Sequence, residues 1–334
     1  MHAEAQIKDI ALQIGGKPFY GQHQAKNLLS RSLAGDRLAH AYLFRGPEGV
    51  GKQLFARGIA AAVNCKAAIG LSACGVCASC KKLISGSHPD FLLVSPDKGA
   101  IKIAQIRNLI KALSFAPYEA ETRVILIEDV HTMRPEAANS LLKTLEEPPD
   151  NNLSILTADS AGNVLQTIIS RCQSIPFYGL THSDTTKILL QQDDTLDSET
   201  AMLLAKLGEG SPGKAQLFHR KDLIDFWKKL LALLNEPVDE GDGDLGKLLL
   251  MAESMAALKE DLPHLFSLIK LWIRDCLLVC HGQLPADEVV NTRKDWNSEQ
   301  FFAKLQVIAQ AEKELGRNCN RTLVCEVLLF RLRE

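Results

Sequence analysis

The chain has 334 residues, 46% of them hydrophobic, and a formal net charge of −2. This length exceeds what one hydrophobic core usually fills, so two or three domains are expected, and the composition is ordinary for a globular protein. The near-neutral charge excludes a global basic field, so any contact with nucleic acid must come from a local patch.

Between residues 40 and 178 short apolar strands alternate with helical patterns. The run over 123–128 is β-branched and nearly continuous, as expected for a strand buried on both faces of a sheet. Pro135 suits the first position of a helix, and Pro148 ends that helix. The predicted strands are 41–44, 91–94, 123–128, 153–156 and 174–177, and the predicted helices between them include 52–63 and 103–113. This alternation predicts a parallel sheet flanked by helices, in a domain that we place at residues 1–178.

After the last predicted strand the strand signals nearly vanish. Residues 182–219 fit three short helices closed by the segment 210–213, and we interpret 179–219 as a small separate helical domain. Residues 220–334 carry mainly long amphipathic patterns, which predict an all-α domain. Within it, the stretch 235–246 is rich in Asp, Glu and Gly and is predicted to be a solvated loop.

No segment of the sequence is suited to a membrane. The longest apolar runs, such as 124–127, are far too short to cross a bilayer. Residues 1–8 contain no long apolar stretch and no small-residue cleavage pattern, so export is not expected. We therefore expect a cytoplasmic protein without a membrane partner.

A phosphate-loop pattern lies between the first predicted strand and the helix that follows it. Three glycines and a lysine allow backbone N–H groups and one ammonium group to hold phosphates at a helix start. These nucleotide-binding candidates are Gly46, Gly49, Gly51 and Lys52. The Ser or Thr that should follow the lysine and bind the Mg²⁺ of the nucleotide is Gln53. The pattern is that of an ATPase with an impaired magnesium site.

The second ATPase element has its two acids in inverted order. A working site needs Asp at the strand end for Mg²⁺ and Glu after it to polarise the attacking water. Here Glu128 precedes Asp129, so each side chain differs by one methylene group from the length that its place requires. Small misplacements of reacting groups cost large factors in rate, so hydrolysis is not expected. An ordinary acidic strand end is the alternative interpretation.

Four cysteines with the spacing C-x8-C-x2-C-x2-C follow the phosphate-loop helix. Zinc takes four thiolates in a tetrahedron, and tight x2 pairs deliver two sulfurs to one ion without strain. The predicted ligands of a structural zinc ion, in a module at about 64–81, are Cys65, Cys74, Cys77 and Cys80. Four free cysteines in a loop are the alternative, and a catalytic zinc is disfavoured because four thiolates leave no open position. Four further cysteines lie on apolar helical faces and are interpreted as buried side chains: Cys276, Cys280, Cys319 and Cys325.

Several segments occur in the order seen in bacterial clamp-loader subunits, which belong to the AAA+ superfamily. The most specific are the segment 141–149 and Ser170-Arg171-Cys172. The others are Gly21-Gln22-His23, residues 38–44, the phosphate loop, the cysteine cluster, His88-Pro89-Asp90 and residues 318–333. The chain resembles this family over essentially its whole length. The resemblance implies an α/β AAA+ P-loop domain with a zinc insertion, a small helical lid over 179–219 and an all-α collar domain over 220–334.

Within that family the chain is similar to the delta-prime subunits of DNA polymerase III more than to the gamma/tau motor subunits. The motors carry an arginine in a Gly-Ser-x-Arg segment of the lid, and here Gly213 takes its place. The residues around Asp159, where a Thr or Asn would sense the terminal phosphate, are also atypical. The resemblance implies a stator that binds ATP or ADP weakly or not at all. The implied partners are the gamma/tau and delta subunits, with the sliding clamp and primer-template DNA reached through the complex.

Arg171 matches the arginine that, in this family, reaches into the nucleotide site of the neighbouring subunit. A planar guanidinium group can bind two phosphate oxygens and neutralise charge as the bond to the leaving phosphate breaks. A surface ion pair at a helix end is the alternative interpretation. Cys172 is interpreted as a packing residue.

Two other functions fit parts of the pattern. The first is an active gamma/tau-type motor of the same ring, which Gln53 and Gly213 oppose. The second is a solitary zinc-containing nucleotide-binding module, which the collar-like helices oppose.

Overall fold

The structure is a computed structural model that describes residues 13–14, 17–35, 37–159, 164–236, 242–283, 293, 296–317 and 319–333. The chain divides into two compact units, Met1–Ala215 and Gln216–Glu334. The finer division into three domains, with bounds after residues 178 and 219, stays a prediction.

The first unit contains a five-stranded sheet in which every strand runs parallel to its neighbours. The strands of the unit are β1 Gln13–Ile14, β2 Lys17–Pro18, β3 Ala41–Arg45, β4 Phe91–Val94, β5 Arg123–Ile127, β6 Asn152–Ala158 and β7 Gln173–Pro176. The first two form a separate antiparallel pair, and the order in the main sheet is β4-β5-β6-β3-β7. Every side chain of β5 is buried, as predicted for a strand covered on both faces.

Helices cover both faces of this sheet. The helices that begin in this unit are α1 His23–Ala34, α2 Lys52–Val63, α3 Ala78–Ile84, α4 Ile103–Leu113, α5 Pro135–Glu146, α6 Gln166–Ile169, α7 His182–Gln192, α8 Ser198–Leu207 and α9 Pro212–Arg220, the last of which crosses into the second unit. On one face α1 and α2 pack over the sheet, where the rings of Phe44 and Phe55 have centroids 5.7 Å apart. On the other face Ile106 of α4 and Leu141 of α5 pack over the β-branched side chains of the sheet. Apolar burial on both faces therefore fixes the strand ends that carry the site.

The described part of the second unit is helical. Its remaining helices are α10 Leu223–Asn235, α11 Asp242–Ala257, α12 Leu262–Cys280, α13 Ser298–Gly316 and α14 Arg321–Arg333. The apolar stripe predicted on α12 is buried and includes Leu265, Ile269 and Trp272. Helix α14 packs against α11 and α13. No described helix combines the length and the apolar character needed to cross a bilayer.

The predicted architecture is confirmed: a parallel α/β domain with a phosphate loop, a cysteine cluster that is compatible with zinc, and a helical C-terminal part. Three local predictions are wrong. Helix α11 begins at Asp242, inside the predicted loop 235–246, because its later turns bury Leu248, Ala252 and Met255; residues 237–241 lie outside the described residues. The segment 210–213 opens α9 instead of closing the bundle. Cys280 and Cys319 are exposed, not buried.

Candidate functional site

The phosphate loop leads from β3 into α2 at the carboxyl edge of the sheet. The backbone N–H of Gly46 donates to the carbonyl oxygen of Ala158, which ties the loop to the end of β6 at 3.2 Å. A Cβ atom on Gly46 would lie 2.1 Å from the backbone oxygen of Phe177, so only glycine fits this close approach. Gly51, with a φ of +96°, begins the turn into α2. The predicted strand–loop–helix arrangement is therefore present.

The ammonium group of Lys52 is buried and directed back onto the loop. Its Nζ donates to the carbonyl oxygen of Gly46 at 2.6 Å and to that of Pro47 at 2.8 Å. A third contact, of 3.1 Å, joins Nζ to Oδ1 of Asp159. Gln53, the next residue, is exposed at the start of α2.

Acidic side chains gather around this lysine. Asp159 follows β6, and its second oxygen, Oδ2, lies 3.6 Å from Nε2 of His131. Asp129 follows the end of β5, with its backbone N–H bonded to Oγ1 of Thr157 at 3.0 Å. Burial raises the pKa of Asp129 above its usual value, and the negative charge of Asp159 raises it further, against the opposing charge of Lys52. The carboxyl groups of Asp129 and Asp159 therefore place negative charge beside Lys52, where a phosphate would bind.

The two acids of the inverted pair have different surroundings. Glu128 accepts a hydrogen bond of 2.7 Å from Oγ of Ser95, which follows β4. Asp129 belongs to the group around Lys52 and Asp159. Glu128, which takes the place of the magnesium-binding Asp, is therefore engaged by the neighbouring strand end.

The start of α9 lies directly on the phosphate loop. Oγ of Ser211 donates to the carbonyl oxygen of Glu48 at 2.7 Å, and the N–H of Gly213 donates to that of Gly49 at 3.0 Å. A Cβ atom on Gly213 would lie 2.7 Å from the Cα of Gly49. Two glycine backbones are thus in contact at position 213, and no side chain fits there without a shift of the backbone.

The four clustered cysteines come together as the spacing predicts. The ligand atoms of Cys65, Cys74, Cys77 and Cys80 all lie within 4.8 Å of one another, and they form the one group of three or more candidate metal ligands found among the described residues. A tetrahedral zinc ion with Zn–S bonds of about 2.3 Å requires sulfurs about 3.8 Å apart, so this donor set fits the metal. Two backbone groups already point at the sulfurs: the N–H of Cys74 donates to Sγ of Cys65 at 3.2 Å, and that of Cys77 to Sγ of Cys74 at 3.4 Å. The cluster can therefore bind a metal such as zinc.

The pKa values of two thiols in this cluster are shifted in opposite directions. Hydrogen bonds from the backbone N–H groups of Val76 and Cys77 lower the pKa of Cys74 to about 6. Burial raises the pKa of Cys80 to about 12. A dication offsets this burial cost, because a coordinated thiol is deprotonated outright.

The cysteine module is joined to the segment that precedes β5. Oγ of Ser79 lies 3.2 Å from Nε2 of the buried His88, and Lys82 of α3 forms an ion pair with Glu119. The carboxylate of Asp90 accepts hydrogen bonds from three backbone N–H groups, those of Tyr118, Glu119 and Ala120. These bonds lower the pKa of Asp90 although burial opposes them. The module and residues 118–120 therefore share one polar network.

Arg171 forms contacts within its own unit. Its Nη2 forms an ion pair with Oε1 of Glu146, and its Nη1 donates to the carbonyl oxygen of Thr167 at 2.8 Å. The guanidinium side chain is 32% exposed, so solvent reaches it. Burial raises the pKa of Cys172 to about 12, which keeps this thiol protonated and fits a packing role.

Two features of the site were missed by the sequence analysis. The contact of Asp159 with Lys52 joins residues 107 positions apart, and its one signal was the unusual acid at the end of β6. For the contact of Ser211 and Gly213 with the phosphate loop, the one indication in the sequence was the glycine at position 213, where an arginine is expected.

One protein family and three relatives show which known proteins the chain is similar to. The family described as "DNA polymerase III, delta subunit" matches residues 21–181. The DNA polymerase III subunit delta' of Pseudomonas aeruginosa is 30% identical over 309 residues, which cover 87% of this chain and 90% of that protein. The subunit delta' of Bacillus subtilis is 36% identical over 212 residues, 64% of each chain. The DNA polymerase III subunit tau of Escherichia coli is 31% identical over 232 residues, which cover 67% of this chain and 33% of that protein.

Proposed function

The chain belongs to the clamp-loader subunit family of DNA polymerase III, that of the delta', tau and gamma subunits, and from this premise we propose that it is a delta-prime subunit. It acts as a stator: it hydrolyses no useful amount of ATP, and it supplies Arg171 in trans to a neighbouring motor subunit while a sliding clamp is loaded. The observation that carries this proposal is the state of its own nucleotide site, in which Lys52 is held by two loop carbonyls and by Asp159.

The proposal includes cofactors and partners. A structural zinc ion is held by the four clustered cysteines, whose sulfurs fit a tetrahedral ion. ATP or ADP binds weakly or not at all through Gly46, Gly49, Gly51 and Lys52, with Glu128 and Asp129 as remnants of the hydrolytic element. The partners are the gamma/tau and delta subunits, and the sliding clamp and primer-template DNA are reached through the assembly. The location is the cytoplasm.

The two alternative functions are separated from this one by simple measurements. An active motor of the same ring would hydrolyse ATP alone, which Gln53 and the close contact of Gly213 with Gly49 oppose. A solitary nucleotide-binding module would show the same mass with and without motor subunits in a size measurement.

We expect the isolated full-length chain to hydrolyse ATP at a negligible rate. Gln53 offers no hydroxyl group to Mg²⁺, and the acid after β5 that should bind the ion is replaced by Glu128, which Ser95 engages. Steady-state phosphate release measures this, with an ATP-hydrolysing tau subunit as the positive control. Turnover at the level of that control, lost in Lys52→Ala, would show that the chain is a motor.

We expect an apolar face of the second unit to bind other subunits. Helices α11 and α14 pack together, and both carry large exposed apolar side chains, namely Leu249 and Leu250 on α11 and Leu323 and Val327 on α14. Leu323 and Val327 are four residues apart and so lie on one face of α14, and exposed apolar faces of this kind mark interaction sites. The double variant Leu323→Glu/Val327→Glu should weaken assembly with motor subunits by about tenfold or more, because charges are then buried at the interface.

Met202→Glu is the matched control, since Met202 is an exposed apolar residue, 60% exposed, on α8 of the first unit. It should assemble like the unaltered chain. Normal assembly of the double variant, with an unchanged melting temperature, would remove this face from the interface.

A further inference from the structure

We propose that Asp159 is an internal substitute for a nucleotide phosphate: its carboxylate occupies Lys52 and keeps nucleoside triphosphates out of the chain's own phosphate loop. The inference deepens the proposed stator function, because it names the residue that closes the site. It concerns a residue outside the two ATPase motifs of the sequence, neither of which accounts for the state of Lys52.

The hydrogen bonds of Lys52 are saturated. An ammonium group has three protons to donate. The three acceptors around Nζ are the carbonyl oxygens of Gly46 and Pro47 and Oδ1 of Asp159, at 2.6, 2.8 and 3.1 Å. In a phosphate loop this lysine contacts the β- and γ-phosphates. Here an incoming phosphate must first displace an acceptor, and the charged one is the carboxylate.

The backbone fixes Asp159 at this place. Strands β3 and β6 are hydrogen-bonded neighbours, and their parallel register pairs Arg45 with Ala158. The N–H of Gly46, the next residue along the loop, donates to the carbonyl oxygen of Ala158 at 3.2 Å. The residue after Ala158 must therefore stand beside the loop entrance. His131 lies 3.6 Å from Oδ2, so both carboxylate oxygens face basic side chains.

The local charge also opposes a phosphate. A triphosphate would bring several negative charges next to Asp159, whose own charge already acts on the half-buried carboxyl group of Asp129. Removing one carboxylate charge reduces this repulsion and weakens the contact that holds the Lys52 ammonium group, so a phosphate displaces it more easily. Asn has the same shape as Asp but no charge, so Asp159→Asn isolates this effect.

The test measures the affinity of the purified full-length chain for Mg²⁺-ATP and Mg²⁺-ADP by isothermal titration calorimetry. Asp159→Asn should bind Mg²⁺-ATP at least about tenfold more tightly than the unaltered chain, a gain of the size expected for one charge near a buried partner. The gain should disappear in Asp159→Asn/Lys52→Ala, because the lysine receives the phosphate. If Asp159→Asn has a lowered melting temperature, Asp159→Ser provides the same test with a smaller side chain.

Asp150→Asn is the matched control. Asp150 is an exposed acid just before β6, at the opposite end of the strand, so the variant changes net charge equally without touching the loop. Unchanged affinity in folded Asp159→Asn and Asp159→Ser would overturn the inference, and so would an equal gain in Asp150→Asn. The stator proposal is tested separately on the assembled loader through Arg171, so either proposal can fail while the other stands.

Discussion

Replacing Cys77 by Ser should reduce the zinc content of the purified chain from one equivalent to a small fraction of it. Losing one of four ligands should cost more than the roughly 10–100-fold in affinity that is lost with outer-shell partners. Burial already opposes the thiolate of Cys80, whose pKa is raised to about 12 without a cation. Structural zinc contributes about 10–16 kcal/mol of apparent binding free energy in zinc-finger peptides. We therefore expect the module at about 64–81 to unfold and the melting temperature to fall.

Metal analysis and titration of thiol groups measure this outcome. Cys319→Ser is the control, because Cys319 is an exposed cysteine outside the cluster, and it should keep the full equivalent of zinc. An unaltered chain with well under one equivalent of zinc, and with four freely titrating thiols in the cluster, would contradict the metal site.

Arg171→Ala should leave folding and assembly intact and still lower the ATPase rate of the complete clamp loader by about tenfold or more. An arginine finger stabilises the charge that develops on the transferred phosphate, and its removal costs large factors at the site it serves. In the isolated chain the same side chain is partly exposed and pairs with Glu146. An exposed ion pair is worth less than about 1 kcal/mol, so its loss should hardly change the melting temperature.

Glu146→Gln separates the two roles of this arginine. It breaks the ion pair but keeps the guanidinium group, so the loader should hydrolyse ATP at nearly the unaltered rate. Arg171→Lys should restore little activity, since an ammonium group cannot form the two-pronged contact. Equal defects in Arg171→Ala and Glu146→Gln, or none in either, would leave Arg171 as a surface ion-pair residue only.

The parts of the fold that were predicted from the sequence depend on local pattern. Helix α2 and strand β4 have the predicted bounds, Lys52–Val63 and Phe91–Val94, because apolar periodicity and the flanking glycines and polar residues mark their ends. The cysteine cluster also depends on local spacing, and its four sulfurs lie together as predicted. Helix α11 was misjudged at its start, since the Gly-rich composition of that stretch is typical of loops while burial of later turns decides the helix.

The missed parts depend on long-range contacts. Asp159 meets Lys52 because β6 and β3 are neighbours in the sheet, and no pattern within either segment contains that information. The three N–H groups that donate hydrogen bonds to Asp90 belong to residues 118–120, which follow helix α4 in the chain. Contacts of this kind become visible only when the order and register of the strands are known.

The contact between Gly213 and Gly49 also bears on how this chain could change over generations. A Cβ atom at position 213 would lie 2.7 Å from the Cα of Gly49, so a single codon change that restores an arginine there meets the phosphate loop before it meets any nucleotide. A hydroxyl group at position 53 would still lie next to Lys52, whose ammonium group is bound by the carboxylate of Asp159. Neither of these two substitutions alone therefore completes the site while Asp159 holds Lys52. The proposed stator function would therefore persist through either of these substitutions taken singly.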